Sequence, residues 1–169
     1  MKNFNLLQLA VVIFALPLAA QTPNKNLNLH LEEMRSLFLD AEYLCYSEYM
    51  HDRVHEINGG LERTQQISAD GMDQLKAEGY EFLEAEYKNP SEIIEYRNQL
   101  QLTFTFEVLM NTPEGKIKAE YCMIGVSKDE GKTWRFIDTS GRDKEMVLKF
   151  FGDLSPELNI FKTKESRVE

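Results

Sequence analysis

The sequence predicts an α+β domain. Helices come first, then a curved antiparallel sheet of four to five strands forming a cone-like roll, then a short C-terminal helix. Two observations carry this. Apolar residues between Leu27 and Gly79 recur at helical spacing, and from Tyr80 onward the apolar period switches to two. Compact turn signals join the alternating stretches, so the helices segregate to one end of an antiparallel sheet.

The first twenty residues read as a secretory signal peptide. Lys2 supplies the positive start, Leu6 to Leu18 is apolar apart from Gln8 and Pro17, and Ala19-Ala20 offers small residues at the cut. The apolar run is shorter than the ~20 residues a bilayer span needs. No second run follows it, and no Cys follows it to carry a lipid anchor. The expectation is an exported protein, periplasmic or extracellular, with no membrane span in the mature chain. Residues 21–27 are expected to form a flexible leader, 28–162 a single domain, and 163–169 a frayed tail.

Leu27 to His51 reads as one helix. Leu31, Met34, Leu37, Phe38, Ala41, Leu44 and Cys45 form its apolar face, with Glu32 and Glu33 in its first turn. Gly59-Gly60 breaks the chain. A second helix follows from Leu61 to Glu78 and ends at Gly79, a left-handed cap, with Asp70-Gly71 as a place to kink.

Tyr80 to Tyr87 and Ser91 to Tyr96 read as strands separated by an Asn89-Pro90 turn, and Arg97-Asn98 makes a tight connection. The acidic run Glu78 to Glu86 alternates with aromatics, as on an edge strand whose charges discourage pairing. In Gln99 to Met110 the residues Leu100, Leu102, Phe104, Phe106, Val108 and Met110 share one face. Gln101, Thr103, Thr105 and Glu107 share the other, which is expected to be wet or to line a cavity. Pro113-Glu114-Gly115 turns the chain into Lys116–Val126, and Thr133 to Thr139 is the last strand. Asp143 caps a helix from Lys144 to Phe151, and Ser155-Pro156-Glu157-Leu158 starts one more turn.

Between the last two strands lies Ser127-Lys128-Asp129-Glu130-Gly131-Lys132-Thr133-Trp134. Asp129 is placed to accept backbone N–H groups, Gly131 to take positive φ, and Trp134 to fold over the turn. This stretch resembles the Asp-box pattern Ser-x-Asp-x-Gly-x-Thr-Trp of sialidase propellers and other β-rich secreted proteins. The resemblance covers eight residues and implies a hairpin turn, not a catalytic site. A propeller needs about four to eight blades of some 40 residues each, so a propeller and sialidase activity are both excluded.

The order of elements is similar to that of the nuclear-transport-factor-2-like superfamily, a cone-shaped roll in the broader cystatin-like class. The residues that carry the likeness are Tyr43 to His51 entering Gly59-Gly60, the helix after them, the long hairpins, and the run Gly125 to Asp138. It covers roughly 30–160. The superfamily hosts isomerases, dehydratases, cyclases and many non-catalytic modules, so the likeness implies a fold and leaves the activity open.

The net charge of −9 disfavours nucleic acid and anionic membranes as partners, and the basic residues form no stripe. No phosphate loop, Cys-x-x-Cys or Gly-x-Ser-x-Gly occurs, and no cofactor is expected.

The metal candidates are His51 and His55, four apart, with Glu48, Asp52 or Glu56 as a third ligand; the plainer reading is a helix end followed by a loop histidine. Tyr43, Tyr46, Tyr49, Tyr121, Trp134 and Phe136 are candidates to line the mouth of the cone, or simply to pack it. Asp138 is in phase with Trp134 and Phe136. If that side faces a cavity it is a candidate general base; otherwise it is a solvated strand end. Cys45 and Cys122 are either bridged or two small apolar fillers.

The expected function is a non-catalytic module that binds a small apolar ligand or a protein partner, or pairs as a homodimer through its sheet face. The rivals are a lyase or isomerase using Asp138 with a tyrosine hydroxyl, and an assembly subunit of an envelope complex.

Overall fold

The computed structural model describes residues 22–168, so the signal peptide expected over 1–20 lies outside the described residues. Four helices precede the sheet: α1 (Thr22–Leu39), α2 (Tyr43–Ser47), α3 (Asp52–Asn58) and α4 (Leu61–Ala77). The strands are β1 (Glu81–Lys88), β2 (Ile94–Tyr96), β3 (Gln99–Thr112), β4 (Gly115–Ser127), β5 (Arg135–Asp138) and β6 (Lys164–Arg167), with α5 (Lys144–Phe150) between the last two. One antiparallel sheet runs β1-β3-β4-β5. In it β2 shares the β3 edge with β1, and β6 shares the β4 edge with β5. The chain is therefore an α+β domain with N-terminal helices on an antiparallel sheet and a short C-terminal helix.

Helix α1 begins at Thr22, before the expected start at Leu27 and within the expected leader. Leu27, Leu31, Met34 and Phe38 are all buried against the sheet. The expected long helix then breaks. Ala41 takes φ +61°, its N–H bonds to Phe38 O and the Glu42 N–H to Leu37 O, which is a Schellman end with alanine in the glycine position. After the break the phase changes. Tyr43 and Ser47 face inward on α2, and Cys45 faces solvent. Both cysteines are free, Cys45 exposed and Cys122 buried, so the bridged alternative is not realised.

The glycine signals act where expected. Gly59 ends α3 at φ +94° and Gly79 follows α4 at φ +89°. Thr64 locks the α3–α4 junction, donating to Gly60 O at 2.9 Å and accepting from Asn58 Nδ2 at 3.3 Å. Asp70-Gly71 leaves α4 unbroken. Arg97 and Asn98, both at positive φ, make the two-residue β2–β3 turn.

The sheet is covered on both faces over half its length. On the α1 side, β3 contributes Leu102, Phe104, Phe106, Val108 and Met110 to the main core, together with Trp134 and Phe136. On the other side Ile124, Val126 and Ile137 pack against Val147, Phe151, Leu154 and Leu158 from α5 and the segment after it. Gln101, Thr103 and Thr105 on this face are buried, so of the two expectations, wet or cavity-lining, the wet one does not hold there. The polar cost is met by hydrogen bonds: Gln101 Nε2 donates to Asp153 O at 2.9 Å, and Gln101 Oε1 accepts from Ser155 N at 2.8 Å. Farther along, the same face carries Glu107 clamped between Lys88 and Lys118 at 2.8 and 2.7 Å. The expected frayed tail is also corrected, since β6 pairs with β4 from Ile117↔Arg167 to Glu120↔Lys164.

The 127–134 hairpin is built as its residues indicated. Asp129 Oδ1 accepts from Ser127 Oγ and Thr133 N, both at 2.9 Å, and Oδ2 accepts from Thr133 Oγ1 at 2.8 Å. Ser127 Oγ accepts from Gly131 N at 2.8 Å. Asn26 on α1 donates to Gly131 O at 3.0 Å, which ties the first helix to the turn. Trp134 is fully buried. Its ring lies over Gly125, where an added Cβ would sit 3.4 Å from Trp134 Cε3 and 3.0 Å from Leu102 Cδ2.

Candidate functional site

The segment between α2 and α3 runs along the outer edge of β5. Phe136 N donates to Tyr49 O and His51 N donates to Phe136 O, both at 2.8 Å. This parallel contact pulls α2, α3 and α4 over the end of the sheet and leaves a cavity of about 350 Å³ beneath them. Its floor is Met34, Met123 and Phe136. Its walls are Tyr46, Met50, Val54, Ile57, Thr64, Ile67 and Ser68, with Phe150 and Phe151 on the far side. Asp138 and Arg142 also line it.

Of the six aromatics proposed for a pocket, the structure brings Tyr46 and Phe136 to this cavity. Tyr43 and Trp134 are core residues. Tyr49 is half-buried against the core and donates to Glu33 at 2.5 Å. Burial and that carboxylate push its phenol up to about 12. Tyr121 lines a separate groove of about 540 Å³ with Tyr80, Phe82, Met110 and Ile117, at the opposite end of the sheet. An Arg167–Glu114 ion pair at 3.2 Å is exposed at its rim.

Two phenols meet inside the helical cover. Burial pushes Tyr46 up to about 12, with opposing influences from Tyr87 (downward) and Asp138 (upward). Burial also raises Tyr87, and the nearby Tyr46 and Asp138 add to the effect. The hydroxyls approach each other, yet Tyr87 Oη completes no hydrogen bond of regular geometry among the described residues. Both phenols are neutral donors at pH 7, and Asp138 lies close enough for its charge to act on both. Sequence patterning missed Tyr87, because a tyrosine in an edge strand gives no signal that it meets a helix.

Asp138 shares the cavity side of β5, in register with Met123, as its phase implied. It is exposed rather than desolvated, and Oδ1 accepts from both Ser140 N and Ser140 Oγ.

His51 has a different role from the expected helix end. It is the N-cap of α3, and its Nδ1 accepts from Arg53 N at 3.1 Å. The neutral ring therefore carries its proton on Nε2, which is buried without a partner among the described residues. His55 follows in the last turn of α3. Among the described residues no group of three or more His, Cys, Asp or Glu is placed to hold a metal ion.

Burial, then Lys128, lowers the His51 pKa, against weaker upward pulls from Asp153, Asp52 and Glu56. Below about pH 6.5 the unfolded chain takes up this proton first, so stability falls as the pH drops below that value. Asparagine at position 51 can still cap α3. His51→Asn should thus flatten the decline in urea stability between pH 7.5 and 5; an unchanged decline would assign it to other groups.

No family model matches the chain, and no curated protein matches it.

Proposed function

We propose that the protein is an exported, nuclear-transport-factor-2-like roll that binds a small apolar ligand without transforming it. The observation that carries this reading is the largely apolar cavity between the helices and the sheet, with few polar groups in its lining. Helices preceding a curved antiparallel sheet support the family reading, and the leader sequence supports export. Native mass spectrometry of the protein isolated from its export compartment tests the ligand. The expected result is one added small-molecule mass that is lost when the cavity is filled by Ser68→Trp. Bare protein, or an adduct that survives Ser68→Trp, would refute the site.

A second reading is favoured by one observation: the Tyr46 phenol and the Asp138 carboxylate line the same cavity. In an isomerase or lyase, Asp138 would take a proton and Tyr46 would donate to the developing oxyanion. Asp138→Asn should then abolish turnover of the recovered ligand while leaving its mass adduct in place. Retained turnover would remove Asp138 from the chemistry.

A further inference from the structure

We infer that the ligand of this cavity is an uncharged amphiphile: a small apolar body with a primary amide or alcohol head held between Asp138 and Arg142. The inference rests on reading the cavity as a ligand site. Asp138 Oδ1 is taken by Ser140, whereas Oδ2 accepts no hydrogen bond from the described residues. Arg142 forms no ion pair among the described residues, and its guanidinium makes one long bond, 3.4 Å, to Ser140 O. The cavity end thus offers an open acceptor and open donors, both exposed.

A carboxylate head would meet Arg142 but be repelled by Asp138, and an ammonium head the reverse. Exposed side chains return little for a full ligand charge that must shed water. A neutral head satisfies both partners, with its N–H or O–H donating to Asp138 and its oxygen accepting from Arg142. Discrimination then arises because each ion leaves one partner opposed. The rim matches an apolar body. Ile57, Ile67 and Phe150 come from three helices, and each keeps more than 40 % of its surface exposed while lining the cavity. At about 350 Å³ the space lies near the lower end of small-molecule sites, which suits an eight-carbon chain.

The test is calorimetric titration of the folded protein at pH 7 with octanamide, 1-octanol, octanoate and octylamine. Octanamide and octanol should bind about two- to five-fold more tightly than either ion. Asp138→Asn should recover octanoate binding and Arg142→Gln octylamine binding, each by a similar factor. Ser68→Trp should abolish binding of all four while preserving the circular dichroism spectrum. If an ion binds tightest, or the two variants leave the order unchanged, the head-group assignment is overturned while the cavity reading stands. If none of the four binds, or binding survives Ser68→Trp, the cavity reading falls and this inference with it.

Discussion

Trp134→Ala should lower the unfolding free energy by about 3–5 kcal/mol, and Trp134→Phe by less than half as much. The indole is fully buried between strands, resting on Gly125 beside Leu102 and Phe136. Because a Cβ at position 125 would crowd Leu102, the strand beneath the ring has no side chain to swing into the space that alanine would leave. The cavity would then persist, and its full cost with it. Trp134 Nε1 has no hydrogen-bond partner among the described residues, so the indole contributes volume and carries an unpaired donor. Phenylalanine keeps most of that volume and removes the unpaired N–H, which offsets part of the loss. Guanidinium denaturation of the two variants decides the matter. Equal losses would show that refilling most of the volume with a phenyl ring recovers nothing, so that buried volume is not what stabilises. Phe136 adjoins the indole and also floors the ligand cavity, so Trp134→Ala should weaken octanamide binding as well.

The parts of this fold that could be read in advance are those whose signal is local. Gly59-Gly60, Arg97-Asn98, Gly131 and the Asp143 cap each act through the backbone of a few residues, and each stands where its chemistry required. The alternation in β3 likewise identified which residues face α1, because a strand's side chains can only alternate. What failed was non-local. Nothing near Ala41 announces a left-handed residue, since glycine is the usual choice there, and the unseen break rotated Cys45 out to solvent. Gln101, Thr103 and Thr105 look wet by composition. All three are buried, and Gln101 is held there by a segment about fifty residues later, which brings the Asp153 carbonyl and the Ser155 N–H to it.

The site divides in the same way. Asp138 was legible from its strand phase, and Tyr46 and Phe136 were among the named aromatics. The cavity itself exists because the backbone at 49–51 pairs with Phe136, a contact across more than eighty residues of sequence. Arg142 gave no signal either, because its place in the cavity lining, with no carboxylate partner among the described residues, is a property of the folded surroundings.

Asp129→Ala should cost about 2–3 kcal/mol at pH 7, and the penalty should shrink as the solution is acidified below about pH 4. The carboxylate accepts from Ser127 Oγ, Thr133 N and Thr133 Oγ1, so alanine leaves three donors of the turn without their acceptor. Partial burial pushes this carboxyl up, but the bonds from Thr133 and Ser127 together outweigh it and hold the group below its usual value. A carboxyl lowered in the folded state contributes stability that is fully present above the unfolded value, near 3.8, and is lost as the pH falls through the folded value. The wild type should therefore lose stability in that acid window more steeply than Asp129→Ala, and their denaturation midpoints should converge. Ser127→Ala should be markedly non-additive with Asp129→Ala, because the two side chains bond each other and Ser127 Oγ also accepts from Gly131 N. The consequence should reach α1 through Asn26, which bonds the Gly131 carbonyl, so amide exchange near residue 26 should quicken in Asp129→Ala. A penalty that stays constant from pH 7 to pH 3 would mean that the turn depends on the shape of the side chain and not on its charge.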